Sequence, residues 1–184
     1  MRAFLSVDIE NEEVLRRMVD AQGELARTGA DLKLVDRQNL HFTVKFFGEI
    51  PDSRIEEVDK RIKSVELKQA DVRVAGVGAF PDLRHPRVVW AGVAPQDVAS
   101  VTNIAVAVIK AVEGIGQPED HTYHPHITLA RIRSERNRQE LVGYLERNNE
   151  RMFGASRLRT LKLKSSTLTP RGPTYSDVKV YSLG

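Results

Sequence analysis

The chain has 184 residues, 28 of them Lys or Arg against 25 Asp or Glu, a net charge of +3, and 41% are hydrophobic. That is the make-up of a soluble globular protein, one domain or two small lobes on a shared core. The absence of cysteine excludes disulfides, thiolate catalysis and cysteine-ligated metal centres.

Residues Arg2–Ile9 form an apolar run that reads as a strand, with no signal-peptide pattern in MRAFLSVDIE. Asn11 then offers a helix N-cap. Glu12 and Glu13 follow in the first turn, where the helix dipole favours them, and Val14, Met18, Ala21 and Leu25 keep helical spacing. A strand is predicted over Leu40–Phe47, ended by Gly48, and a helix from about Asp52 with Ile55, Val58, Ile62 and Val65 on one side. Asp71–Phe80 reads as a further strand, closed by a turn at Pro81-Asp82.

The second half repeats this order. Arg87–Val93 is a strand containing Trp90, and Val98 to Val112 a helix that stops near Gly114 and Gly116. A strand over His124–Ile132 follows, then a helix over about Ser134–Asn148 with Leu141 and Leu145 inward. Leu161 and Leu163 alternate with Lys162 and Lys164, the pattern of a half-buried strand. A last strand, within about 174–183, has no counterpart in the first half. The expected class is α+β. The chain reads as a single two-lobed domain over 1–184, with pseudo-symmetric β-α-β-α-β halves at about 1–82 and 86–168 and sheets facing a central cleft.

Each half carries a His-x-Thr in its middle strand: His41 and Thr43 in LHFTVKFF, His126 and Thr128 in HPHITLARIR, 85 positions apart. Strand side chains alternate faces, so each strand offers an imidazole and, about 6.5–7 Å further on, a hydroxyl. A lone strand histidine is usually a hydrogen-bonded structural residue. Two copies at matching places in matching halves point instead to one shared site. Two imidazoles suit metal-free phosphodiester chemistry, one neutral as general base and one protonated as general acid, in either order. The hydroxyls, with Arg or Lys, would hold nonbridging phosphate oxygens. The rival is a metal site at His121, His124 and His126, but only His124 and His126 share a strand face. His85 reads as a turn residue before Pro86.

These motifs are recognisable. The chain resembles the RNA 2′,3′-cyclic phosphodiesterase family, also called 2′-5′ RNA ligases, of the two-histidine phosphoesterase superfamily. The resemblance covers nearly the whole chain, through MRAFLSVDI, NLHFTVKFFGEI, VGAFPDLRHPRVVWAGV, YHPHITLARIR and LKSSTLTPRGPTYSDV. It implies a bilobal fold and hydrolysis of a 2′,3′-cyclic phosphate at an RNA end to a 2′-phosphate, with no metal or other cofactor. It casts His41 as proton donor and His126 as acceptor, with Thr43, Thr128 and Arg131 on the phosphate. Strict alternation puts Arg131 on the face opposite His126, so it reaches the site only across a bulge or strand end. Lys45 shares the face of His41 by alternation and is a further candidate for the phosphate. Tyr175 is a candidate base-stacking or phosphate contact.

The expected partner is RNA with a 2′,3′-cyclic phosphate terminus, tRNA halves being one source. No membrane partner is expected, and a cytoplasmic monomer is. Between Arg131 and Lys164 ten cations face four glutamates, which suits a polyanion or equally a solvated helix face. Alternatives to hydrolysis are ATP-independent 2′-5′ ligation at the same site, action on a small cyclic phosphate, or a non-catalytic module that binds RNA ends.

Overall fold

The computed structural model describes residues 1–184. In chain order the elements are β1 (Arg2–Asp8), α1 (Glu12–Arg27), β2 (Leu32–Leu34), β3 (His41–Glu49), α2 (Asp52–Lys63), β4 (Ala70–Phe80) and β5 (Val88–Val93). There follow α3 (Val98–Ala111), β6 (Ile127–Ile132), α4 (Arg138–Arg147), β7 (Met152–Leu158), β8 (Thr160–Thr169) and β9 (Gly172–Ser182). The α1 start is as the sequence implies. Asn11 Oδ1 accepts from the Val14 amide at 3.0 Å, and Val14, Leu15, Met18, Ala21, Gln22 and Leu25 form the buried stripe.

The strands form an antiparallel path in the order β7-β4-β5-β6-β3-β1-β8-β9, with β2 alongside β6. The path is thinnest at its middle. β3 and β6 share a single residue pair, Phe42 with Ile127, whereas β8 and β9 pair along their whole length. Two lobes result, β3-β1-β8-β9 and β6-β5-β4-β7, joined at that pair. Helix α1 packs on β6 and β7, and α3 on β3 and β4, which leaves the opposite sheet face for a cleft. One cluster of 43 buried residues runs through both lobes, so neither has a core of its own.

Several elements differ from the sequence expectation. The third strand of each half crosses to the other lobe: β4 pairs with β5, and β8 with β1. Strand β6 begins at Ile127, so His124 and His126 lie in the extended segment that leads into it, where Pro125 has no amide to give a ladder. Helix α4 starts only at Arg138, after Asn137 at φ 54°. Strands β2 and β7 are additional, and β9 begins at Gly172. The turn after α3 closes where Gly116, at φ +70°, brings its backbone against β3. A Cβ there would sit 2.5 Å from the Phe47 carbonyl oxygen.

Candidate active site

The single pairing of Phe42 with Ile127 places the two motifs. Both residues are fully buried on the core face, so their sequence neighbours face the cleft. Carrying the register one position each way sets His41 beside Thr128 and Thr43 beside His126. The histidines are thus diagonal, each next to the other motif's threonine. They line one cleft of about 1270 Å³ together with both threonines, Arg131 and Tyr175.

A bulge follows each motif. On β3, Ser6 pairs with Thr43 and Leu5 with Lys45, so Val44 is the extra residue. On β6, Trp90 pairs with Thr128 and Val89 with Ala130, so Leu129 is the extra residue. Each bulge shifts the alternation by one. Beyond Leu129 it brings Arg131 onto the cleft face, as the sequence required for that residue to act there. Beyond Val44 it brings Phe46 onto the cleft face and turns Lys45 away. Lys45 is 5% exposed, donates to the Gln117 carbonyl and pairs with Glu119 Oε1 at 2.7 Å. The placement of Lys45 expected from strict alternation is therefore corrected. It anchors the loop after α3.

The β6 bulge has its own support. Gln22 on α1 is 4% exposed, and its side-chain amide donates to the carbonyls of Leu129 at 2.9 Å and Val35 at 2.7 Å. The Val35 amide also donates to Leu129, at 2.9 Å. Replacing Gln22 by Leu removes both bonds, taking its donor from the part-buried Val35 carbonyl and leaving the buried Leu129 carbonyl only the Val35 amide. It is expected to cost about 1–3 kcal/mol of stability, read by urea unfolding.

The two imidazoles have different surroundings. His126 Nδ1 lies 2.7 Å from the His124 carbonyl oxygen, which can only accept. The proton is therefore on Nδ1, and in the neutral ring Nε2 carries the free lone pair. Burial lowers the pKa of His126 below the ordinary value, opposed by that hydrogen bond and assisted by the nearby charges of His124, Arg131 and His121. His41 Nε2 lies 3.1 Å from Thr43 Oγ1. Burial, reinforced by the Lys164 ammonium, pushes His41 down to about 4, and the Asp8 carboxylate opposes this in part.

Asp8 stands beside His41 in the β1–β3 register. It binds Lys164 at 2.7 Å and Lys162 at 3.0 Å, and Lys162 also reaches Asp177 at 3.0 Å. Burial works against the Asp8 charge, but the two ammonium groups hold its carboxyl below the usual range. Aromatic rings wall both histidines. Phe4 stacks on His41 at 5.4 Å, Tyr175 meets Phe4 edge-on at 4.9 Å, and Phe80 meets His126 edge-on at 4.8 Å.

Sequence reasoning did not single out Phe4, Asp8, Phe80 or Lys164 for the site. The available signal was the period-two alternation of Lys162 and Lys164 opposite an acidic strand end. Five of the ten cations between Arg131 and Lys164 are in ion pairs (Arg138, Arg151, Arg157, Lys162 and Lys164), so this segment is not an open basic face. His121 pairs with Asp120 on the loop at the cleft rim, and His85 with Asp82 in its turn. No three His, Asp or Glu side chains gather as a metal-binding group, and no helix is long and apolar enough to cross a membrane.

A cleft that opposes two imidazoles and two hydroxyls, with an unpaired guanidinium among its lining residues, has the groups for acid–base chemistry on an anionic ester. Comparison with known proteins agrees with that class, and the chain belongs to the LigT-like phosphoesterase family, whose profile matches residues 7–90 and 93–175. An RNA 2′,3′-cyclic phosphodiesterase of Archaeoglobus fulgidus is 30% identical over 98% of this chain and 99% of its own. The RNA 2′,3′-cyclic phosphodiesterase of Aeropyrum pernix is 34% identical over 91% and 97%. Among solved structures, the protein TT0787 of Thermus thermophilus superposes with a TM-score of 0.80 at 28% identity, covering 100% of this chain and 98% of that one.

Proposed function

We propose that the protein hydrolyses 2′,3′-cyclic phosphates at RNA ends to 2′-phosphomonoesters, using its two histidines and no metal. The observation that carries this is the diagonal placement of the two His-Thr pairs across the Phe42–Ile127 junction. Relatives that span almost the whole chain and bear that activity in their names support the substrate.

His126 is the general base. Its Nδ1 proton is committed to the His124 carbonyl, so Nε2 is free to take a proton from water. The water oxygen bonds to phosphorus, the bond from phosphorus to O3′ breaks, and His41 gives a proton to O3′. Thr43, Thr128 and Arg131 hold the nonbridging oxygens and the charge that builds on them. Tyr175 and Phe4 offer an aromatic face beside His41 for the base of the terminal nucleotide. The chain acts as one two-lobed domain, with the pattern repeat at about 1–82 and 86–168 supplying one motif from each half.

These roles fix a pH dependence. The active form carries a proton on His41 and none on His126, yet both pKa values lie below the ordinary 6.5 in the free protein. The kcat/KM profile is therefore expected to be bell-shaped with its maximum midway between the two pKa values, below about 5.3. Removing the ammonium in Lys164→Met raises the His41 pKa and is expected to move the profile to higher pH. A maximum above about pH 7 that ignores Lys164→Met counts against this reading.

A further inference from the structure

Residues 117–126 form a strap between the turn after α3 and the start of β6. The strap begins on β3, in the lobe of His41. There the Gln117 amide donates to the Phe47 carbonyl at 3.1 Å, and Gly116 lies against the same carbonyl. It ends as the His124-Pro125-His126 segment that enters β6, in the lobe of His126. On the way, Gln117, Glu119, His121 and Tyr123 line the catalytic cleft.

Little holds the strap between those ends. No backbone–backbone hydrogen bond involves residues 118–126. The Tyr123 ring packs on the core, but its buried Oη bonds nothing. The one ion pair from residues 118–126 to another element is that of Glu119 with Lys45 on β3, at 2.7 Å. Lys45 also donates to the Gln117 carbonyl. It reaches both partners because the bulge at Val44 turns it inward. Lys45 is buried, whereas the Glu119 side chain is 36% exposed. A buried ammonium needs such acceptors, so the pair fastens the strap to β3 at a fixed place.

The other end of the strap bears on the chemistry. The carbonyl that accepts from His126 Nδ1 belongs to His124, on the strap itself. Strands β3 and β6 meet at the single pair Phe42–Ile127, so strand pairing begins only after His126 and does not hold the segment before it. A loosened strap would carry the His124 carbonyl away and leave Nδ1 without its acceptor. We propose that Lys45 is a positioning residue for the general base. Through Glu119 and Gln117 it fixes the strap, and the strap keeps the His124 carbonyl on His126 Nδ1. That bond leaves the Nε2 lone pair free for water. The proposal rests on the two-histidine reading above. It gives a buried lysine on the strand of the acid a task at the base in the other lobe.

The test uses Lys45→Met, which keeps a long buried side chain and removes its charge, and Glu119→Ala, which removes the same tie from its exposed end. Imidazole tautomers are read from ring nitrogen NMR shifts of the free protein, at a pH where both rings are neutral. Wild type is expected to hold His126 almost wholly in the Nδ1–H form. Both variants are expected to show a mixture of the two forms, with the His41 signals in place. Hydrolysis of a mononucleoside 2′,3′-cyclic phosphate is expected to lose about tenfold in kcat, with KM within about twofold of wild type. A His126 ring that stays in the Nδ1–H form in both variants overturns the proposal. So does a shift of the His41 signals as large as that of His126, which marks general loosening of β3, or a rise in KM with kcat unchanged, which makes the strap a binding wall only. If Lys45→Met does not fold, Glu119→Ala at the cleft rim decides. Failure of wild type to hydrolyse the mononucleotide strikes at the proposed activity instead, and the tautomer measurement still decides the positioning.

Discussion

His126→Ala is expected to lower kcat/KM on an RNA ending in a 2′,3′-cyclic phosphate by about 10²–10⁴-fold, the range for loss of one positioned general base. Its side chain makes one hydrogen bond, to the adjacent His124 carbonyl, and packs edge-on against Phe80 at the cleft surface. The core stays intact without it, so the unfolding transition is expected to remain close to wild type. His41→Ala is expected to lose a comparable factor. The two losses should not add, because acid and base act in the same step. The double variant should therefore be only a little slower than either single one. Losses that multiply would mean the two imidazoles act independently, and the shared site would have to be abandoned. Rates on a defined oligonucleotide with the unfolding curve of each variant decide this.

Thr43→Val and Thr128→Val make up the second large effect. Each substitution keeps the shape of the side chain and removes a hydroxyl that faces the cleft. Each is expected to reduce kcat by about 10²–10³-fold with little change in KM, the signature of a donor that matters most as charge builds on the phosphate. The register sets each threonine beside the histidine of the other motif, so the two variants should behave alike in spite of their different lobes. A rise in KM with kcat unchanged would show that the hydroxyls only bind the substrate.

How far the site was legible depended on the strand period. His41, Thr43, His126 and Thr128 could be read because each pair lies before the bulge in its strand, where alternation still holds. Arg131 lies after a bulge, and its arrival at the cleft required a break in alternation. The same break acts on β3, where it sends Lys45 inward and brings Phe46 out. A bulge leaves no mark in LHFTVKFF, because Val44 is apolar and suits either face. Strand β2, Leu32–Leu34, is too short to show a period. Strand β7, MFGASRL, mixes Gly, Ala and Ser with its apolar residues and so has weak strand character. The crossing of β4 and β8 between lobes is a matter of long-range pairing, which local pattern does not encode. The Asp8–Lys164–Lys162 network was hidden for the same reason, since Asp8 and Lys164 are 156 positions apart and meet only through β1–β8 pairing.

The different settings of the two histidines follow from the register as well. The position beside His41 holds a carboxylate neutralised by two ammonium groups, whereas the matching position beside His126 is Gly92, covered by Trp90. A pattern-symmetric pair thereby becomes chemically asymmetric. Burial lowers the pKa of both rings, but Lys164 and Asp8 act on His41, whereas a single carbonyl fixes the tautomer of His126.

The most direct measurement is the product formed from a short RNA with a 2′,3′-cyclic phosphate end, in excess EDTA, by wild type, His41→Ala and His126→Ala. Full turnover by wild type to a 2′-phosphomonoester with a free 3′-hydroxyl, and turnover about 10²–10⁴-fold slower by either variant, is the expected result. A 3′-phosphate product would contradict departure of O3′ toward His41, and activity lost with EDTA and restored by a divalent cation would contradict a metal-free pair of histidines.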